Sequence, residues 1–163
     1  MQFPEDKKFF NFFLDGQKLL IREDLQSPRS LSEIDFNMDK DTKVIIFVKI
    51  DDILLDSEML SFIEKIMNSV QLENKNYFVI NLKKYPDIQF SSFRRKFPDP
   101  KVFIFFGVQT LELALNISMG EGLMMKFKDY TFIKSLSPEV LKNDKQAKNK
   151  LWTNLKNTFY NEG

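Results

Sequence analysis

The sequence predicts an α/β domain in three layers, α/β/α, with a short, mainly parallel sheet covered by helices on both faces. Three observations carry this. The runs KVIIFVKI (Lys43 to Ile50), YFVINL (Tyr77 to Leu82) and KVFIFF (Lys101 to Phe106) are short, apolar and rich in β-branched or aromatic residues, as strands buried on both faces are. Between the first two, Met59, Leu60, Ile63, Ile66, Met67 and Val70 recur at helical spacing and make an amphipathic stripe of about four turns. Strands that alternate with helices imply parallel crossovers and a sheet with no bare face.

The remaining elements follow in chain order. Glu5 to Leu14 is expected to be a short helix presenting Phe9, Phe10, Phe12 and Phe13, stopped by Gly16 at the position after a helix that glycine favours. A strand-like run follows from Lys18 to Ile21. Residues 22–43 are polar, contain Pro28 and show no sustained period, so they read as a long connection and the most mobile segment. Asp56 is the expected N-cap of the amphipathic helix. After Gly107, VQTLELAL reads as another short helix. Leu123 to Phe127 and Tyr130 to Ile133 are weaker runs, either a hairpin or one strand with its approach. Ser137-Pro138-Glu139 has the residue types of a helix start. A last helix begins at Asn143 or Asp144, with Ala147, Leu151, Trp152, Leu155 and Phe159 on its apolar stripe. The expected organisation is an N-terminal aromatic arm or helix, 1–25, and a single α/β domain, 26–163.

Composition narrows the function. With 163 residues, 43% hydrophobic and 29% charged, the chain fits one ordinary globular domain. The formal charge of +1 provides no global basic field, so tight nonspecific DNA binding is not expected. The absence of Cys removes disulfides, thiolate metal sites and Cys nucleophiles, and the absence of His removes the commonest general base and neutral metal ligand. No enzyme and no cofactor are expected. Eighteen Phe exceed what one small core normally takes, which places part of the excess at a surface that a partner covers. Met1 to Lys8 lacks the apolar core of a signal peptide, and no stretch reaches the roughly 18 apolar residues of a membrane span. The expected location is the cytoplasm.

Three features are candidate sites. FPEDKKFFNFFL puts Phe3, Phe9, Phe10, Phe12 and Phe13 in one short span, either a helix docked on its own sheet or a segment that lays its aromatic face into a partner's groove. Arg94, Arg95 and Lys96 lie between Phe93 and Phe97 and are candidate nucleic-acid contacts, although a solvated loop is the simpler account. Asp51 and Asp52 follow the first core strand, where open α/β sheets bind ligands. That position resembles the Mg²⁺-binding acids of response-regulator receivers, but no Asp stands near Gly107 to accept a phosphoryl group. Gly107 falls at a strand-to-helix turn, and neither GxGxxG nor GxxxxGK[ST] is present.

SLSPEVLKNDKQAKNKLWTNL, at the C-terminus, resembles the end of the psi subunit of bacterial DNA polymerase III: a Ser-Pro pair, a Leu, a polar break and a Leu-Trp pair in the last helix. FFNFFLDGQKLLIRED is similar to that family's N-terminal helix, Gly turn and apolar run, and KVIIFVKIDDILLDSEMLSFIEKIM to its first core strand and helix. The resemblance implies a fold similar to uracil-DNA glycosylases, in which the third strand ends in Gly and the last strand leads into a His-Pro-Ser-Pro motif. Gly107 and Ser137-Pro138 stand at those places. Lys134, Ser135 and Leu136 stand where the motif begins, so the catalytic His is absent and the family's base-flipping chemistry with it. The resemblance implies clamp-loader subunits as partners of the arm and a chi-like subunit as partner of the globular face, with only indirect or weak contact to nucleic acid. Two alternatives remain: an Mg²⁺-dependent phosphoacceptor or phosphotransfer domain using Asp51 and Asp52, and a degenerate glycosylase-like domain binding single-stranded DNA through Arg94 to Lys96.

Overall fold

The structure, a computed structural model, describes residues 10–14, 17–21, 36–51 and 57–160. It is a mixed α/β fold built on a five-stranded, mostly parallel sheet. The elements are β1 (Phe10–Leu14), β2 (Gln17–Ile21), β3 (Val44–Val48), α1 (Ser57–Asn68), β4 (Tyr77–Asn81), α2 (Phe90–Lys96), β5 (Val102–Phe106), a 3₁₀ turn at Thr110–Leu113, β6 (Leu115–Asn116), β7 (Met124–Phe127), β8 (Tyr130–Ser135), α3 (Pro138–Leu141) and α4 (Lys145–Phe159). The main sheet has the order β4-β3-β5-β8-β7; the first four strands are parallel, and β7 pairs antiparallel with β8. A second sheet, β1-β2-β6, is antiparallel.

Alternation along the strands divides two apolar layers. Ile45, Phe47, Phe103, Phe105 and Phe132 face α2, from which Phe90 and Phe93 reach down, together with Phe36, Leu113 and Leu115. Val44, Ile46, Val48, Ile104, Phe106 and Ile133 face the other way, onto Ile63 and Met67 of α1, Leu141 of α3, and Leu151 and Leu155 of α4. Every residue of β3 and β5 is buried, which is why these two runs carry no polar position.

Several elements differ from the sequence reading. Phe10–Leu14 is a strand, not the end of a helix, and pairs with β2 from Phe10↔Ile21 to Leu14↔Gln17. The physical reason is in the sequence: Asp15-Gly16 separates two β-favouring runs by two residues, a strong hairpin signal. Phe3, Phe9 and the helix start at Glu5 lie outside the described residues, as does the Asp56 cap. VQTLELAL is a 3₁₀ turn running into a two-residue strand, because Ala114 adopts a left-handed φ of 53° that ends the helical path. Leu123 to Ile133 does form a hairpin, turning at Lys128-Asp129 with Lys128 at φ 51°.

Arg94, Arg95 and Lys96 form the last turn of α2 instead of a loop, where their charge suits the negative end of the helix. Most of the excess Phe is internal. Every Phe whose side chain is described is buried or half-buried, and one continuous aromatic layer links Phe36, Phe47, Phe93, Phe103, Phe105 and Phe132 by edge-to-face and stacked contacts. Phe36, in the stretch expected to be mobile, is buried against Phe78, Tyr85 and Phe97.

Candidate functional site

The carboxyl ends of β3, β4, β5 and β8 define the end of the sheet where ligands of such folds are held. Lys49, Ile50 and Asp51 leave β3. Ile50 is buried, and both of its backbone groups are taken by Asn81, the last residue of β4: Asn81 Nδ2 donates to the Ile50 carbonyl at 2.7 Å, and Asn81 Oδ1 accepts from the Ile50 amide at 3.2 Å and the Lys83 amide at 3.1 Å. Asn81 is itself buried. Its amide carries the link between the two strands one step past their last backbone bond, which runs from the Leu82 amide to the Val48 carbonyl at 2.8 Å. On the surface of the same corner, Lys83 forms an ion pair with Asp51.

A second set of contacts joins β3 and β8 to the turn after β5. Lys49 Nζ donates to Glu112 at 2.6 Å, and the Gln109 amide donates to the same carboxylate at 3.1 Å. Burial alone would push the Glu112 carboxyl up and is the largest single influence on it, but the Lys49 hydrogen bond, the Gln109 amide and the Lys49 charge together hold it below its ordinary value. A carboxyl depressed in this way stabilises the fold fully above its ordinary value and loses that contribution as pH falls through the folded value. Glu112→Gln keeps an acceptor for Gln109 and loses the charge. The variant is expected to be about 0.5–1 kcal/mol less stable than the parent at pH 7, a half-exposed pair being worth no more. The gap should close as pH drops below 4.5, as read by urea midpoints across pH.

Lys134, next to the end of β8, is buried. Its ammonium donates to Gln109 Oε1 at 2.8 Å and to the Met119 carbonyl at 3.1 Å, with Glu121 at 3.5 Å. Gly107 follows β5 at φ 64° and donates its amide to the Ser135 carbonyl at 2.9 Å. A Cβ on Gly107 would stand 2.7 Å from Ser137 Cβ. Beyond this corner a shallow cavity of about 120 Å³ opens beside the start of α4, lined by Glu121, Ser135, Asp144 and Lys150 among others. Its rim carries charges of both signs, and Asp144 already caps the helix by accepting from the Ala147 amide at 2.9 Å.

The opposite end of the sheet gathers cations. Arg94 Nη1 donates to the Tyr130 hydroxyl at 3.2 Å and its guanidinium lies 5.7 Å from the ring centroid; Lys101 Nζ lies 4.8 Å from the same centroid. Three segments meet here: the end of α2, the residue before β5 and the first residue of β8.

Of the residues singled out in the sequence, Phe10, Phe12 and Phe13 fall in β1, and Phe3 and Phe9 lie outside the described residues. Asp51 is paired with Lys83, while Asp52 lies outside the described residues, among which no group of three or more His, Cys, Asp or Glu is gathered. Arg94 belongs to the cation cluster, with Arg95 and Lys96 beside it on α2. Sequence reading missed Asn81, Glu112, Lys101 and Tyr130. For Asn81 a signal existed, since an amide closing an apolar strand run has to find buried partners. No helix among the described residues is long and apolar enough to cross a membrane. No family model matches the chain, and no curated protein matches it.

Proposed function

We propose that the chain is a non-catalytic accessory subunit of a bacterial DNA replicase, psi-like, on a uracil-DNA glycosylase-like scaffold. It bridges clamp-loader subunits and a chi-like subunit by protein contacts. The observation that carries the reading is the apposition of Gly107 and Ser137. These are the two landmarks that the psi and glycosylase resemblance picks out; they follow different strands, yet lie so near one another at one end of the sheet that a Cβ on Gly107 would stand 2.9 Å from Ser137 Cα, and the Gly107 amide donates to Ser135, two residues before Ser137. The last parallel strand leads straight into Ser137-Pro138, with the buried Pro138 opening α3, and Leu151 of the Leu-Trp pair is packed into the core while Trp152 stays partly exposed. Beside this landmark Lys134 spends its charge on Gln109, Met119 and Glu121, a positioning role and not a chemical one.

The aromatic N-terminal segment is the clamp-loader contact in this reading. Immobilised full-length protein is expected to retain a purified bacterial clamp-loader complex. Replacing Phe3, Phe9, Phe10, Phe12 and Phe13 by Ser should weaken retention about thirty-fold or more, since a buried aromatic anchor contributes ~2 kcal/mol or more. A thermal melt of each protein separates lost binding from lost folding. Equal retention by a folded variant, or no retention by the parent, would refute the assignment.

A further inference from the structure

We infer that the end of the sheet where β5 and β8 begin is a direct binding surface for single-stranded nucleic acid, a role beyond the bridging function and independent of it. The sequence shows only a run of three cations. The structure brings Lys101 and Tyr130 up to Arg94 from positions that no sequence period connects. Arg95 and Lys96 continue the surface on α2, and Lys126 and Lys128 lie on the hairpin whose second strand starts at Tyr130. All six basic residues are exposed. Against them, the carboxylates on these segments are Asp99 and Asp129. A chain with a net charge of +1 therefore holds a strongly positive end.

Tyr130 makes this more than a solvated basic face. Its half-buried ring is backed by Phe103 and Phe132 at 6.1 and 6.4 Å, so it is a fixed platform, and Arg94 and Lys101 both lie against it, 5.7 and 4.8 Å from its centroid. Among the described residues neither cation has a carboxylate partner. A phosphodiester that reaches either cation gains a charge-assisted contact from a side chain whose freedom the ring has already reduced. Once a phosphate draws a cation off the ring, the rigid aromatic stacks an unpaired base, which a duplex keeps stacked inside. Phosphate contact together with an aromatic platform is the chemistry of single-strand recognition, and it selects the single strand as the occupant.

The test is fluorescence anisotropy of the full-length protein with a labelled oligo-dT of about 15 nucleotides, a length that spans one such surface. The same length of duplex is measured in parallel, over a salt series. The single strand is expected to bind at low salt with an affinity that falls linearly in log–log form. Arg94→Gln with Lys101→Gln should weaken binding tenfold or more and reduce the salt slope by about 1.4, two charges at ~0.7 each. Tyr130→Leu should weaken binding comparably, Tyr130→Phe should stay within about threefold because the ring remains, and Lys65→Gln with Lys145→Gln should leave binding unchanged. Circular dichroism melts confirm that each variant is folded. The inference is overturned if the single strand shows no salt-sensitive binding, if the Arg94/Lys101 variant binds like the parent, or if the duplex binds as tightly as the single strand.

Discussion

Gly107→Val is expected to lower the thermal midpoint by roughly 10 °C, because it destabilises the fold by about 2–5 kcal/mol and each kcal/mol moves a domain of this size by roughly 2–4 °C. Two independent effects add. At φ 64° a side chain with a branched Cβ sits in the left-handed region, which costs an L-residue about 1–2 kcal/mol. Any Cβ there would also stand 2.7 Å from Ser137 Cβ and 2.9 Å from Ser137 Cα. Those neighbours belong to the chain entering α3 and can move only by shifting that chain away from β8, an overpacking of about 1–3 kcal/mol. Gly120→Ala is the control. That residue has no left-handed φ, and its added methyl would meet only the flexible end of Leu123 at 3.3 Å, so it should change stability by less than about 1 kcal/mol. A Gly107→Val protein melting with the parent would show that Ser137 does not pack close over the β5 turn.

Asn81→Ala should cost about 3 kcal/mol in chemical denaturation. It removes one donor and one shared acceptor and leaves the Ile50 amide and carbonyl buried without partners, at ~1–3 kcal/mol for each orphaned group. Asn81→Asp tests the donor separately. A carboxylate can still accept from Ile50 and Lys83 but cannot donate to the Ile50 carbonyl, and burial penalises its charge. Burial and the Ile50 carbonyl facing the second carboxylate oxygen outweigh the two amide donors, so the folded pKa should lie above the unfolded value. Stability of that variant is then highest in acid, where the protonated carboxyl again donates, and falls as pH rises through the folded pKa. Indifference of the Asp variant to pH would mean that the amide of Asn81 does not bridge the two strand ends.

The layered core was legible because burial on both faces forces unbroken apolar runs: β3, β4 and β5 stand where the runs did, and α1 and α4 where the 3.6-residue stripes did. The hairpin of β1 and β2 was misread because four Phe in five positions satisfy a helical face as well as a strand, and periodicity cannot separate the two over so short a span. The better signal was the Asp15-Gly16 pair, weighed as a helix stop instead of a turn. Composition alone sends surplus Phe to a partner surface, since no composition rule says how many rings a core holds. Phe36 to Phe132 show that this core holds one whole aromatic layer. The cation cluster was only a third visible. Arg94 announced itself as part of a run, whereas Tyr130 and Lys101 acquire meaning only from the pairing that sets Val102 beside Thr131.

The strand order also dictates a sequence of events during synthesis. β3 leaves the ribosome long before β5, the central strand of the main sheet, and β8 comes later still. A nascent chain that ends before Tyr130 carries Phe103 and Phe105 on a strand with one unpaired edge, the kind of surface that recruits another chain. Parallel neighbours distant in sequence also close slowly. Stalled or truncated products of this protein should therefore be the species that aggregate and occupy chaperones, and the chain becomes safe only once Ser135 has been added.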